Sequence, residues 1–215
     1  MKMNDSFDPQ KFVNRTKQLD EITDRVQKVL NSSNNDPIIK FYSGGGGLGK
    51  TWLLKQIQVE MDRRNIKNTY IDLSVYVKFT HPAEILQSIA VFLKDMIKQF
   101  NPGRDTSDCS LDELSWYMGN DFEDFTNKNK VWLFLVDNVY APSWEFLKEM
   151  ENYIFGPLST QQRIVMVFTG YGSEYPWKTP ELQLRHEVLM PFEIENGEIE
   201  NQIRKLAQQG QNLDT

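Results

Sequence analysis

Gly44-Gly45-Gly46-Gly47-Leu48-Gly49-Lys50-Thr51 is a complete G-x-x-x-x-G-K-T phosphate-binding loop. In such a loop successive backbone N–H groups cradle phosphates, the lysine reaches their outer oxygens and the hydroxyl binds Mg²⁺. The flanking sequence suits it. Before it stands Pro37-Ile38-Ile39-Lys40-Phe41-Tyr42, apolar enough for a buried strand, and after it residues 51–61 repeat apolar side chains at helical spacing. A helix beginning at the loop aims unpaired N–H groups and its dipole at an anion. The glycines keep side chains away from the phosphates and permit positive φ.

Further out, Leu19, Ile22, Val26 and Leu30 predict a helix over 16–31 capped by Thr16, and Asn31-Ser32-Ser33-Asn34-Asn35-Asp36-Pro37 reads as a loop. Residues 69–73 read as a second strand, and 82–100 as a long helix with Pro82 in its first turn. The next helical stretch, 110–125, opens with the capping-box spacing Ser110-Leu111-Asp112-Glu113, and Gly119 or Asn120 is expected to split it. Its aromatics Trp116, Tyr117, Phe122 and Phe125 read as packing residues. Val131-Trp132-Leu133-Phe134-Leu135-Val136 is apolar on both alternating sets, as in a central parallel strand covered on both faces. Residues 143–155 read as helix, 163–168 as another apolar strand, 187–190 as a short last strand and 197–209 as a polar helix.

This alternation predicts an α/β fold, a three-layer sandwich around a mostly parallel five-stranded P-loop NTPase sheet. Residues 1–11 are expected to be a flexible leader, 12–195 the nucleotide-binding domain, and 196–215 the start of a helical lid or C-terminal helix.

At 215 residues, with 40% apolar side chains, the chain can bury one substantial core. The formal charge is −6, and no segment supplies the concentrated basic surface that nucleic-acid phosphates demand, so nucleic acid is expected to be an unlikely partner. Cys109 is the single cysteine, which excludes an internal disulfide. The first six residues lack the apolar core of a signal peptide, and no run is long enough for a membrane span. A cytoplasmic setting without membrane contact is the expectation. His81 and His186 are far apart in sequence and lack metal-ligand spacing.

Folds of this kind bind ligands beyond the carboxyl ends of their strands, and the polar candidates fall there. Lys50 is the expected phosphate cation and Thr51 the hydroxyl ligand of Mg²⁺. Asp137, after the apolar run 131–136, is the expected acidic partner of the metal, directly or through water. Asn138 follows it, where an acid commonly positions the attacking water; an amide can orient water but cannot take its proton. Asp72 could face the same cleft, and Glu145, Glu149 and Glu151 are the other nearby acids. Thr169 could sense the terminal phosphate, and Arg185 is the arginine best placed to approach phosphates or a neighbouring subunit's nucleotide.

Phe12-Val13-Asn14-Arg15 with Gln18-Leu19-Asp20, the G-x-G-G-x-G-K-T form of the loop, and residues 131–138 together resemble the STAND class of signal-transduction ATPases. These are AAA+-like proteins that include the NACHT and NB-ARC domains, and the resemblance, which points to a bacterial or archaeal member, spans about 12–192. It implies that Val13 lines an adenine pocket with Arg15 supporting that wall. Gly44, Gly45, Gly46, Gly47, Leu48, Gly49, Lys50, Thr51 and Trp52 would hold ATP or ADP with Mg²⁺. Thr169 would sit at a sensor position, the stretch 177–185 would resemble the segment before the final strand, and Leu189-Met190-Pro191-Phe192 would lead into a lid. Asn14 replaces a glycine of many relatives, and Asn138 replaces an acid, which points to slow hydrolysis.

The resemblance also implies an ATP/ADP switch, with the chain a fragment of a larger protein that acts through protein partners or self-assembly. The alternatives are a non-hydrolysing nucleotide-binding scaffold and a P-loop small-molecule kinase. A DNA-handling ATPase is disfavoured by the acidic charge. No guanine-reading motif follows the fourth strand, and ATP is favoured by resemblance alone.

Overall fold

The computed structural model describes residues 15–31, 37–127, 130–170, 175–183, 186–188 and 204. Strands β1 (Ile38–Ser43), β2 (Lys67–Asp72), β3 (Trp132–Asp137), β4 (Ile164–Gly170) and β5 (His186–Val188) lie in the order β2-β3-β4-β1-β5. Every pairing is parallel. Four strands of six or seven residues form the body of the sheet, and β5 adds only three residues beside β1. The expected last strand over 187–190 is thus shorter and begins one residue earlier within the described residues. The expected helix over 197–209 lies outside them, apart from Arg204.

The two alternating sets of each strand enter two separate cores, as a period of two requires. Leu133 and Leu135 of β3, Val165 and Val167 of β4 and Tyr42 of β1 pack with α1 (Thr16–Asn31) and α2 (Lys50–Arg63). Trp132, Phe134 and Val136, with Ile164, Met166 and Phe168, pack against α3 (Pro82–Phe100), α4 (Leu111–Thr126) and α5 (Trp144–Met150). Helices therefore cover both faces. All six residues of β3 and all seven of β4 are buried, which is why these runs carry no polar alternation.

Three boundaries depart from the sequence reading for identifiable reasons. β2 ends at Asp72 because the Asp72 carboxylate accepts the Ser74 N–H at 2.9 Å and turns Leu73–Tyr76 into a short 3₁₀ segment. α4 is unbroken at Gly119 and Asn120, since burial of Met118 and Phe122 outweighs their poor propensity. Ser110 and Glu113 close the expected capping box, whereas Trp116, expected to pack, is 64% exposed. The helix after β3 continues beyond residue 155 through a widened π turn (Glu151–Phe155) into α6 (Gly156–Ser159). Pro157 has no N–H for the Tyr153 carbonyl, and the Ser115 hydroxyl from α4 donates to that carbonyl instead at 2.8 Å.

Among the described residues no helix is long and apolar enough to cross a membrane. Phe134 is fully buried beside the rings of Phe122 and Trp132. Phe134→Ala should lower unfolding free energy by about 3–5 kcal/mol through transfer and cavity terms, measured by urea denaturation.

Candidate phosphate-binding site

β1 ends at Ser43, the glycine loop turns, and Lys50 is the first residue of α2. Gly49 is the N-cap, with φ 76° and no side-chain hydrogen bond to the helix N–H groups. Gly47 has φ 77°, so both positions lie in the left-handed region that only glycine adopts without strain. A Cβ at either would meet nothing within 4 Å, so the dihedral, not crowding, demands glycine there. Gly45, Gly46 and Gly47 are exposed, while Lys50, Thr51 and Trp52 in the first helical turn are half-buried.

The Lys50 amine donates to the carbonyl oxygens of Gly44 at 2.8 Å and Gly45 at 2.7 Å. Burial lowers its pKa and the nearby Arg15 charge acts in the same direction, against the opposing pull of Asp137. Arg15, itself buried and at φ 71°, donates to the Leu48 carbonyl from Nε at 3.3 Å and Nη2 at 3.0 Å. The upstream arginine is thus fastened to the phosphate loop. A helix start without a side-chain cap, an open glycine surface and the Lys50 amine fit a phosphate chain.

Asp137 shares a strand face with Leu133 and Leu135, the face toward α2. Its carboxylate is 1% exposed and has three donors. Oδ1 accepts from the Thr169 hydroxyl and from the Asn138 N–H at 2.9 Å, and Oδ2 accepts from the Tyr70 hydroxyl at 2.8 Å. Burial and the adjacent charge of Asp137 push the Tyr70 pKa far up, keeping the phenol a donor. Val139 N–H bonds the Thr169 carbonyl at 2.9 Å, fixing the tip of β3 to β4.

Asn138 has φ 54°, and its Nδ2 donates to Asp72 Oδ1 at 3.0 Å. Burial raises the Asp72 pKa, but hydrogen bonds from Asn138 and Ser74 outweigh it, and the carboxyl stays below its ordinary range. Asp72 stands directly beside Asp137 in the β2–β3 register.

The structure therefore brings Lys50, Thr51, Trp52, Arg15, Asp72, Asp137, Asn138 and Thr169 to one edge of the sheet. Val13 and Arg185 lie outside the described residues. Glu151 belongs elsewhere: its carboxylate accepts from Tyr175 Oη at 2.9 Å and from the Lys178 and Thr179 N–H groups, both at 2.7 Å. Sequence reasoning missed Tyr70. The available signal was its position two residues before Asp72, which puts both on one strand face.

No protein-family model and no curated protein matches the sequence. Solved structures do match, and at 12–14% identity they show a shared fold. Cdc6p from Pyrobaculum aerophilum superposes with TM-score 0.61 at 13% identity, over 90% of this chain and 51% of that one. The Orc1 protein of Aeropyrum pernix in complex with DNA gives 0.53 at 12% identity, over 90% and 50%. AMPPCP-bound DnaA from Aquifex aeolicus gives 0.50 at 14% identity, over 97% and 56%. The chain thus spans about half the length of these proteins.

The Orc1 structure corrects the expectation that nucleic acid is an unlikely partner, because a protein of this fold is seen there on DNA. A net charge of −6 is a sum over the whole surface and sets no limit on a local contact face.

Tyr70→Phe should lower stability at neutral pH by about 1–3 kcal/mol, since it strips a donor from a buried carboxylate. A raised folded-state pKa gives stability that is complete below the ordinary value of 10.0 and is lost as pH climbs beyond it. Urea titrations from neutral pH to about pH 11 should show the wild type and Tyr70→Phe converging above that value.

Proposed function

We propose that the chain is the nucleotide-binding core of an ATPase that takes Mg²⁺-ATP, hydrolyses it slowly to ADP and phosphate, and serves as a nucleotide switch in a larger protein. One observation carries the reading: the uncapped start of α2 and the Lys50 amine meet on an exposed glycine surface, with the buried Asp137 carboxylate within electrostatic reach. The fold shared with AMPPCP-bound DnaA supports it.

The glycine loop, 44–49, would hold the phosphates through backbone N–H groups, with Thr51 and Asp137 holding Mg²⁺. When bound, Mg²⁺ supplies charge neutralisation at the phosphate oxygens. Lys50 exchanges the Gly44 and Gly45 carbonyls for phosphate oxygens. In the reaction a water oxygen bonds to the terminal phosphorus as the bond to the bridging oxygen breaks, that oxygen leaves with ADP, and the water's proton passes to the released phosphate. Thr169 acts through Asp137, because its hydroxyl already donates to that carboxylate. Three donors on Asp137 lower its appetite for a direct metal bond, which favours contact through water. Asn138 cannot accept the water's proton, and this makes turnover slow.

The STAND-type assignment is supported by Arg15. Arg15, the last residue of the 12–15 stretch that carries the resemblance, is hydrogen-bonded to the phosphate loop at the Leu48 carbonyl, a contact that would carry loop occupancy to the start of α1. In this reading residues 12–195 form the nucleotide domain, with Val13 at the adenine and Arg185 toward the phosphates, and 196–215 begin a lid. The switch works through protein partners or self-assembly. A non-hydrolysing scaffold is the second reading, favoured by Asn138 and by the full set of donors on Asp137.

Calorimetry with Mg²⁺-ATP tests the core of this. Lys50→Ala should weaken binding by at least about tenfold, the scale of one lost charge-assisted contact; unchanged affinity would sink the assignment. Phosphate release abolished by the same substitution separates the ATPase from the scaffold.

A further inference from the structure

Asn138 occupies the position where an acid would serve the attacking water, yet the structure does not leave the strand tips without a second acid. Asp72 stands one strand over, in register with Asp137, and its Oδ1 takes the Asn138 amide at 3.0 Å. We propose that Asp72 is a positioning residue: it fixes the Asn138 amide so that the amide oxygen is turned to accept a hydrogen bond from the attacking water. This rests on the ATPase reading above.

A side-chain amide has a donor end and an acceptor end, and rotation by half a turn exchanges them. Unassisted, Asn138 could offer the water either one. An ionised carboxylate only accepts, so Asp72 selects the Nδ2 end and commits Oδ1 to the other side. Both partners are held. Asn138 is pinned in the left-handed region with its N–H on Asp137 Oδ1 at 2.9 Å. Asp72 is pinned by the Ser74 N–H at 2.9 Å. Ser74, Asp72, Asn138 and Asp137 therefore form one chain of hydrogen bonds running from the edge strand to the metal carboxylate.

The pair is also complementary in charge. An acid at both positions would set two carboxylates at hydrogen-bonding distance, where one is driven to hold a proton. Asp with Asn, or Asn with Asp, avoids that conflict. A purely structural pair would stitch β2 to β3 and cap the turn at 73–76, and would matter for folding without affecting turnover.

The test uses Asp72→Asn, Asn138→Asp and the exchanged double variant, each with three readouts. These are the thermal midpoint without nucleotide, Mg²⁺-ATP affinity by calorimetry, and phosphate release referred to Lys50→Ala. Asp72→Asn should lower kcat about tenfold with affinity within about twofold, the pattern of a contact used in the transition state. Asn138→Asp should lower the midpoint by roughly 3 °C, and the double variant should recover it. The double variant should also release phosphate at least as fast as the wild type, since its acid now faces the water. A wild-type kcat in Asp72→Asn, a change confined to KM, or a double variant without midpoint recovery overturns the proposal alone. A wild type that neither binds Mg²⁺-ATP nor releases phosphate in a Lys50-dependent way overturns the ATPase reading, and the proposal with it.

Discussion

Burying a carboxylate is costly unless its oxygens are hydrogen-bonded, and the Asp137 end of the site answers to that constraint. Its side chain is almost wholly enclosed, and its donors come from the neighbouring strands β2 and β4 as well as from the next residue along the chain. The two donors from neighbouring strands are delivered by register. Tyr70 lies two residues before the end of β2, and Thr169 is one residue from the end of β4. A slip of one residue in either strand would turn Tyr70 or Thr169 to the opposite face. Strand pairing and site assembly are therefore the same event.

The two faces of the sheet divide the work. The side toward α1 and α2 carries aliphatic residues that give way at the strand tips to Asp137 and Thr169. The other side is rich in aromatics: Phe41 stacks on Phe168 at 4.4 Å, and Phe155 and Trp177 pack around them. Glu151 fastens the 175–179 segment to this layer through two backbone N–H groups and the Tyr175 hydroxyl. The aromatic layer stiffens the strands from behind, so the tips that carry polar groups stand on rigid elements.

Most of this was legible in the sequence. The glycine loop between an apolar run and a periodic helix, and the unbroken apolar runs of β3 and β4, suffice to place a parallel sheet with its polar residues at one edge. Less legible were features that depend on partners distant in sequence. The spacing from Asp72 puts Tyr70 on the site's face of its strand, but nothing local announces that it will donate to a residue 67 positions away. Gly119 looks like a break because local propensity favours one, and only the burial of its neighbours decides otherwise. The length of the helix through 144–159 depends on Ser115, on another helix, supplying the hydrogen bond that Pro157 cannot. The bias against nucleic acid failed for a simpler reason, since net charge has no spatial content.

The two carbonyls under the Lys50 amine have a consequence for selectivity. The amine is already well solvated by peptide oxygens, so an incoming anion competes with good acceptors rather than with bulk water alone. A weakly charged anion gains little from that exchange. A polyphosphate, which meets the uncapped helix N–H groups along with the lysine, gains from several contacts together. In the proposed phosphate-binding role the loop would therefore rank anions by charge density and length, acting as a threshold filter and not as a general trap for negative charge.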